Sequence, residues 1–434
     1  MDGVVSSDGV VSAQGRHPVV FGVYRDGDNN LDEAQERNVT DFVAATSRDR
    51  SLKVVAEDTT SLPRSPFGIG SLRTESSVIE NGDQRIVRVT APVDMSDRAT
   101  LASFVERTLE ARSSDPKFAH ADVWLDLVDH GGGDGGGLEA DSSGGFMSIT
   151  DIAGAIADGR ARFRAEHPGS DDNVTGVVAN QCLMSSLGFC DSLSRVGVKY
   201  LCASPETMLA PGVPSAKVAV DLTTGDATKW PERVVSDTMR TRYGTDGYHP
   251  AAAFDVLDLD PKKMDAVRAA VKGFYECVER LPRRGGHGGR SEGSDAIADV
   301  RTDIASVKGM ARFDHSADMP WHADRPAIAV FDRVAADDRL PQELREAASR
   351  ASTAVRALVL AHGETANFGP FHASYADAAG PTVHLPTTRR SYDGWAEAGV
   401  TETHNDFFDA VGGRELARAV GSYNAKEDRA GELA

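Results

Sequence analysis

The chain has 434 residues with 40% hydrophobic and 26% charged content, a composition that excludes disordered, collagen-like and disulfide-scaffold classes and allows one large or two modest cores. A formal net charge of -19 disfavours nucleic acid and anionic membranes as partners, because phosphate surfaces are bound through clustered Lys and Arg. No run approaches the ~20 apolar residues that span a bilayer, and residues 1–15 lack a basic cluster followed by an apolar stretch, so a cytoplasmic protein is expected.

In chain order, residues 17–24 (HPVVFGVY) are β-branched and aromatic, and the turn formers from Arg25 to Asn30 close them, which predicts a strand leaving into a loop. Residues 52–56 and 85–89 are two further strand candidates. Residues 96–112 place Leu101, Phe104, Val105 and Leu109 on one helical stripe. Residues 123–128 (VWLDLV) form a strand that stops at Asp129 and His130. Glycine then fills six of the seven positions from Gly131 to Gly137, so backbone must approach something closely there. A helix is expected from an N-cap at Thr150 through Ile152, Ile156 and Phe163. A strand over 174–179 ends at the Cys182 turn, a helix runs through Leu187 and Leu193, and 199–203 is another strand. This alternation predicts βαβ units and a largely parallel sheet covered on both faces.

Beyond residue 244 longer helices take over, at 261–280, 296–311 and 341–361, followed by a short strand at 382–385 and a terminal helix at 401–411. Residues 281–295 are polar, basic and glycine-rich, the best candidate for a linker or a proteolytic nick. The expected organisation is a flexible tail at 1–16, a core at 17–245, and a smaller helical and mixed C-terminal region at 246–434 packed on that core.

Two strand ends carry the chemistry. A thiol at Cys182 and an imidazole at His130, brought to one edge of a sheet by neighbouring strands, can form a nucleophile and base dyad. A free thiol is mostly protonated at neutral pH, so it needs an imidazole or a helix N-terminus beside it. A helix starting just after Cys182 would offer its amides to the thiolate, and those amides with Gly131 and Gly132 could hold an oxyanion. His130 would assist the thiol and protonate the leaving amine. Cys190, Cys202 and Cys277 have no metal-ligand spacing and read as small buried apolar residues.

These residues resemble the clostripain family, a branch of the caspase-like clan of cysteine peptidases. The run Tyr24 to Leu31 looks like the family's first strand and GDNNL loop, and Asp94 to Asp97, leading into Leu101, Ser103 and Phe104, is similar to its helix before the histidine strand. Asp129 to Gly133 matches the histidine motif, Cys182-Leu183-Met184 the cysteine motif, and Ala203-Ser204-Pro205-Glu206 through Gly212 the substrate loop. The region 382–386, Tyr392 and Phe407-Phe408 is similar in outline to the family's C-terminal segment. The resemblance implies a caspase-like α/β/α sandwich, an endopeptidase acting on protein or peptide substrates through a thioester, Cys182 as nucleophile and His130 as acid and base.

One position departs from the family. Two residues before the nucleophile, where the resemblance implies an aspartate on the floor of the S1 pocket, the chain has Asn180. Losing that charge removes roughly 1.5–3 kcal/mol of charge-assisted bonding to a substrate Arg or Lys, unless Glu206 supplies a carboxylate instead. The family's activating cut between the dyad members after a basic residue has no counterpart, because no Lys or Arg lies between Gly131 and Gly159. Arg283, Arg284 and Arg290 remain as cut sites, and a constitutive or partner-activated enzyme fits equally well. The chemistry requires no cofactor. The resemblance brings in calcium as a stabiliser, but Asp26, Asp28, Asn30 and Asp32 fail as an EF-hand, with Leu31 and Arg37 where glycine and glutamate belong. They read instead as a turn that caps the following helix.

Overall fold

Strands rich in Val, Leu and Ile alternate with amphipathic helices and wind into one nine-stranded sheet with helices on both faces. The structure, a computed structural model, describes residues 16–62, 71–140, 142–226, 228–243, 247, 249–281, 296–307, 324–365, 378–385 and 406–420.

The first part of the chain comprises β1 (Val19–Asp26), α1 (Asp32–Arg48), β2 (Leu52–Thr60), β3 (Arg73–Glu80), β4 (Asp83–Thr90), α2 (Arg98–Ser113) and β5 (Asp122–Val128). A small hairpin, β6 (Gly137–Ala140) with β7 (Gly145–Met147), precedes α3 (Ile149–Glu166), β8 (Gly176–Asn180), α4 (Leu187–Arg195) and β9 (Tyr200–Ala203). Then come α5 (Ser215–Leu222), α6 (Trp230–Arg240), β10 (Ala253–Asp258), α7 (Pro261–Glu279) and α8 (Ala296–Ser306). The last part holds β11 (Asp324–Pro326), α9 (Ala327–Ala336), α10 (Gln342–Arg356), β12 (Val359–Glu364), β13 (Thr382–His384), α11 (Asp406–Ala410) and α12 (Gly413–Val420).

The strand order is β12-β10-β9-β8-β5-β1-β2-β3-β4. The five central strands, β9, β8, β5, β1 and β2, are parallel, and antiparallel strands extend the sheet on either side. Because β10 and β12 join this sheet, strands from both sides of residue 245 share it. One face packs α2, α3, α4 and α7 with α9 and α10 around Phe104, Ile156, Phe189, Phe274 and Phe331. The other packs α1, α5 and α6 around Phe21, Phe42, Trp124, Trp230 and Phe254. This is the expected sandwich. Among the described residues no helix is long and apolar enough to cross a membrane.

Several expected boundaries move. The cap of α3 is Ser148, whose hydroxyl accepts from the Asp151 amide at 3.0 Å, and not Thr150. The stripe expected to run to residue 361 ends at Arg356, and Val359–Glu364 pairs as an edge strand with β10, where its β-branched start fits a pleated surface. The expected terminal helix begins at Asp406 within the described residues and breaks before Gly413. Residues 1–15, the expected linker from 282 to 295, the end of the helix expected to reach 311, and Tyr392 lie outside the described residues. Arg16, expected in a free tail, pairs with Asp49 and Thr223.

Candidate active site

The ends of β5 and β8 are in register, Val128 opposite Asn180, so the parallel ladder carries His130 and Cys182 out of the sheet side by side. In a parallel sheet this carboxyl edge is where crossover loops leave room for a ligand. The two loops touch through main chain: a Cβ built on Gly131 would lie 2.4 Å from the Cys182 carbonyl oxygen, a distance only glycine permits. Gln181 ties them again, its Nε2 donating to the His130 carbonyl at 2.9 Å.

The histidine loop is organised by Asp129. This buried carboxylate accepts from the His130 amide and Asn29 Nδ2 at 2.6 Å each through Oδ1, and from the Glu139 amide at 2.6 Å through Oδ2. Burial, with Asp26 nearby, raises its carboxyl well above the ordinary range. The imidazole itself is partly exposed. Asn30 Oδ1 lies 2.9 Å from its Nε2, within hydrogen-bonding distance.

The thiol is held from another direction. The Met208 amide donates to Cys182 Sγ at 3.2 Å, and the thiol faces the Met208 carbonyl at 3.7 Å. Burial pushes the thiol up to about 11, reinforced by Glu206 and Asp129 and opposed by the Met208 amide. The dyad members are therefore neighbours without a hydrogen bond to each other among those of the described residues. The expected helix start behind Cys182 is not there: α4 begins at Leu187, capped by Ser186, whose hydroxyl accepts from the Phe189 amide at 3.2 Å. Residues between Cys182 and Ser186 instead dock on the β9 loop, Leu183 N to Glu206 O at 3.1 Å and Ser185 N to Ser204 O at 2.9 Å.

Gly131 pairs with Gly137 as an isolated antiparallel bridge closed by Leu138 N to His130 O and Gly132 N to Gly136 O. That pattern leaves the Gly131 amide outside the ladder. The Gly132 amide, expected as an oxyanion donor, is engaged with Gly136 at 2.8 Å and is removed from that role.

Asn180 is buried, and its side chain fastens the loop before α5. Oδ1 accepts from the Val213 amide at 2.8 Å, and Nδ2 donates to Ser215 Oγ at 3.3 Å and the Val213 carbonyl at 3.5 Å. Gly212 covers it so closely that a Cβ there would lie 1.9 Å from Oδ1. Ser204 and Glu206 are fully buried; the Ser204 hydroxyl closes a turn onto Glu206, and Glu206 Oε1 accepts from the Thr207 amide at 2.8 Å. Asp126, beneath them on β5, is fully buried and raised to about 7 by burial, with the Ser215 hydroxyl opposing. A separate cavity of about 700 Å³ between α1, α5 and α6 includes none of the dyad residues.

The loop from Asp26 to Asp32 closes on itself as expected. Asp28 N donates to Asp26 Oδ1 at 2.9 Å and Leu31 N to Asn29 Oδ1 at 2.9 Å. It does not cap α1, whose N-cap is Leu31 with no side-chain bond. Of the other side chains, Asp32 Oδ1 and Oδ2 accept from Thr60 and Ser61, and Asp28 Oδ2 from Ser142.

The structure places His130, Gly131 and Cys182, the residues singled out from the sequence, together at one sheet edge. Gln181, Asn30 beside the imidazole, Asp129 beneath its loop and the Met208 amide on the thiol join them without having been singled out. Only Asp129, adjacent to the histidine, had a readable signal.

A mixed sheet in an α/β/α sandwich, with cysteine and histidine loops meeting at its carboxyl edge, defines the class to which the fold belongs. No family model and no curated protein matches the sequence. Solved structures do: the fold is similar to the inactive zymogen of a C11 protease from Parabacteroides distasonis, with a TM-score of 0.60 and 13% identity over 93% of this chain and 99% of that one. It is similar also to a secreted C11 cysteine protease from Bacteroides thetaiotaomicron, iotapain, with a TM-score of 0.62 and 14% identity over 91% and 99%. The secreted C11 cysteine protease of that organism in complex with an irreversible peptide inhibitor gives 0.61 and 12% over 91% and 98%. The chain thus has the fold of the C11, or clostripain-family, cysteine proteases.

Proposed function

We propose that the chain is a cysteine endopeptidase. Cys182 Sγ attacks the scissile carbonyl carbon, and the Gly131 and Cys182 amides hold the oxyanion. His130 takes the thiol proton and gives it to the departing amine; the resulting thioester is then hydrolysed by water, whose proton returns through the same imidazole. The observation that carries this is the contact of Gly131 with the main chain of Cys182 at the shared sheet edge.

A thiol raised to about 11 suits a resting state that substrate or an activating partner must rearrange, bringing the imidazole from Asn30 to the sulfur. No metal takes part in these steps. With Asn180 engaged by its own loop, a basic P1 residue would rely on Glu206, and a neutral P1 residue fits the site otherwise. A role in regulated proteolysis inside the cell belongs to this proposal; the Bacteroides thetaiotaomicron protease is described as secreted, and cell fractionation decides between the two locations.

The test is labelling of Cys182 by a peptidyl electrophile at neutral pH. Stoichiometric labelling, lost in His130→Ala, supports the dyad. The same resting geometry favours one second reading, a peptidase-like binding protein, and a thiol inert at neutral pH toward every peptidyl probe selects it.

A further inference from the structure

Behind the nucleophile loop lies a polar hub that the thiol chemistry does not use. Asp255 on β10 is fully buried, and three donors converge on it: Ser185 Oγ on Oδ2 at 2.7 Å, His362 Nδ1 on Oδ1 at 2.8 Å and the Gly380 amide on Oδ1 at 3.1 Å. A carboxylate in such a place is tolerated because donors replace its water. Ser185 is gripped at its main chain as well, its amide by Ser204 O at 2.9 Å and its carbonyl by the Thr382 amide at 2.8 Å. The residues next to Cys182 are thereby fastened to β10, to the edge strand β12 and to the segment around β13.

His362 is the one titratable donor of the hub. It is faced by Asp255 from β10 and by Glu364 of its own strand at 3.5 Å. Burial pulls its pKa down, yet the bonds and charges of these two acids outweigh burial and raise it. The imidazolium form is therefore favoured below the raised value, and its attraction to Asp255 is lost as pH rises through it.

We propose that Asp255 is the positioning residue of the nucleophile loop and that His362, by donating to it, sets how firmly Ser185 and the adjoining Cys182 are held. The part concerning Cys182 rests on the peptidase reading. The anchor does not.

The experiment is hydrogen exchange on the full chain, with His362→Gln and Ser185→Ala compared against the unmodified protein between about pH 5 and 9. Protection of the Leu183 and Ser185 amides is expected to fall at least ~10-fold in each variant while β1 and β5 keep theirs. In the unmodified chain the same protection weakens as His362 loses its proton, and in His362→Gln this dependence disappears. Unchanged protection at both amides in both variants overturns the proposal. Alkylation of Cys182 by a peptidyl chloromethyl ketone is followed in parallel. Looser amides with slower alkylation support the proposal in full, and looser amides with unaltered alkylation overturn the positioning of Cys182. Looser amides with a thiol inert in every form, the unmodified chain included, support the anchor and remove the peptidase reading.

Discussion

The two loops that meet at the carboxyl edge are built on opposite principles. On the thiol side, Leu183 to Ser186 are buried, the amides of Leu183 and Ser185 are paired, and Asn180 locks the following loop. On the imidazole side, His130, Gly131 and Gly132 are partly exposed, and the chain is glycine up to Gly137 apart from Asp134. The Cys182 loop is buried and paired through its amides to the β9 loop, whereas the His130 loop, held by Asp129 and the bridge to Gly137, is partly exposed and built of residues with no side chain, so it can lie against its neighbour. On the peptidase reading, this difference in exposure puts the movement that joins sulfur and imidazole on the imidazole side.

The largest effect should come from Gly131→Ala, because the new methyl group would meet the Cys182 carbonyl oxygen at 2.4 Å, with backbone on both sides. Relief requires the loops to part, and activity on a peptidyl substrate is expected to drop by about 100-fold or more, since a misplacement near 1 Å is enough for that. Retained activity would mean that the closeness of the loops serves no chemistry.

The strand that carries His130 can be altered without touching that contact. Asp126 has its carboxyl raised from 3.8 to about 7, so the fold favours its neutral form, and the penalty for the charged form grows as pH rises through this window and is complete above it. Asp126→Asn should stabilise the protein by up to about 4 kcal/mol at pH values above 7 and by nothing near pH 4, with peptidase activity little changed. Urea unfolding at the two pH values measures it. An equal effect at both would show that the substitution acts by packing and not by charge.

How much of this is legible in the sequence follows from the kind of signal each part emits. Strand β5, ending two residues before His130, and β8, ending two residues before Cys182, announce themselves by apolar runs closed by glycine or a turn, and the helical stripe of α2 by its period. Strand β10 and the edge strand β12 do not: the residues of β12 continue a helical pattern, and only the partner strand decides their state. Met208 acts through its main chain, so its side chain carries no signal. Gln181, Asn30 and Asp255 are ordinary polar residues whose roles arise from register between distant segments, which no local pattern encodes.

Asn180 tests the locked side directly. Its amide both accepts from Val213 N and donates to Ser215 and Val213 O. Asn180→Asp replaces the donor with an oxygen facing a carbonyl, so a loss of about 1–3 kcal/mol is expected at neutral pH, recovered in part when the carboxyl is protonated. Thermal melting at two pH values reads the loss. A P1 library on the same variant reports whether a carboxylate here attracts Arg or Lys, and the outcome separates a loop lock from a specificity pocket.

The smallest expected effect lies on the other side of the comparison. Gly144, in the turn between β6 and β7, has φ +65 and nothing within 4 Å of a built Cβ. Here glycine serves backbone conformation alone, so Gly144→Ala should cost about 1 kcal/mol through left-handed strain, with kcat/KM unaltered. The two alanine variants ask the same question of one glycine-rich segment at two depths, Gly131 against the nucleophile and Gly144 in open solvent. If Gly144→Ala also removed activity, the whole stretch from Gly131 to Met147 would have to act as one rigid support for the imidazole, and the contrast between a fixed thiol and a pliant histidine loop would fail.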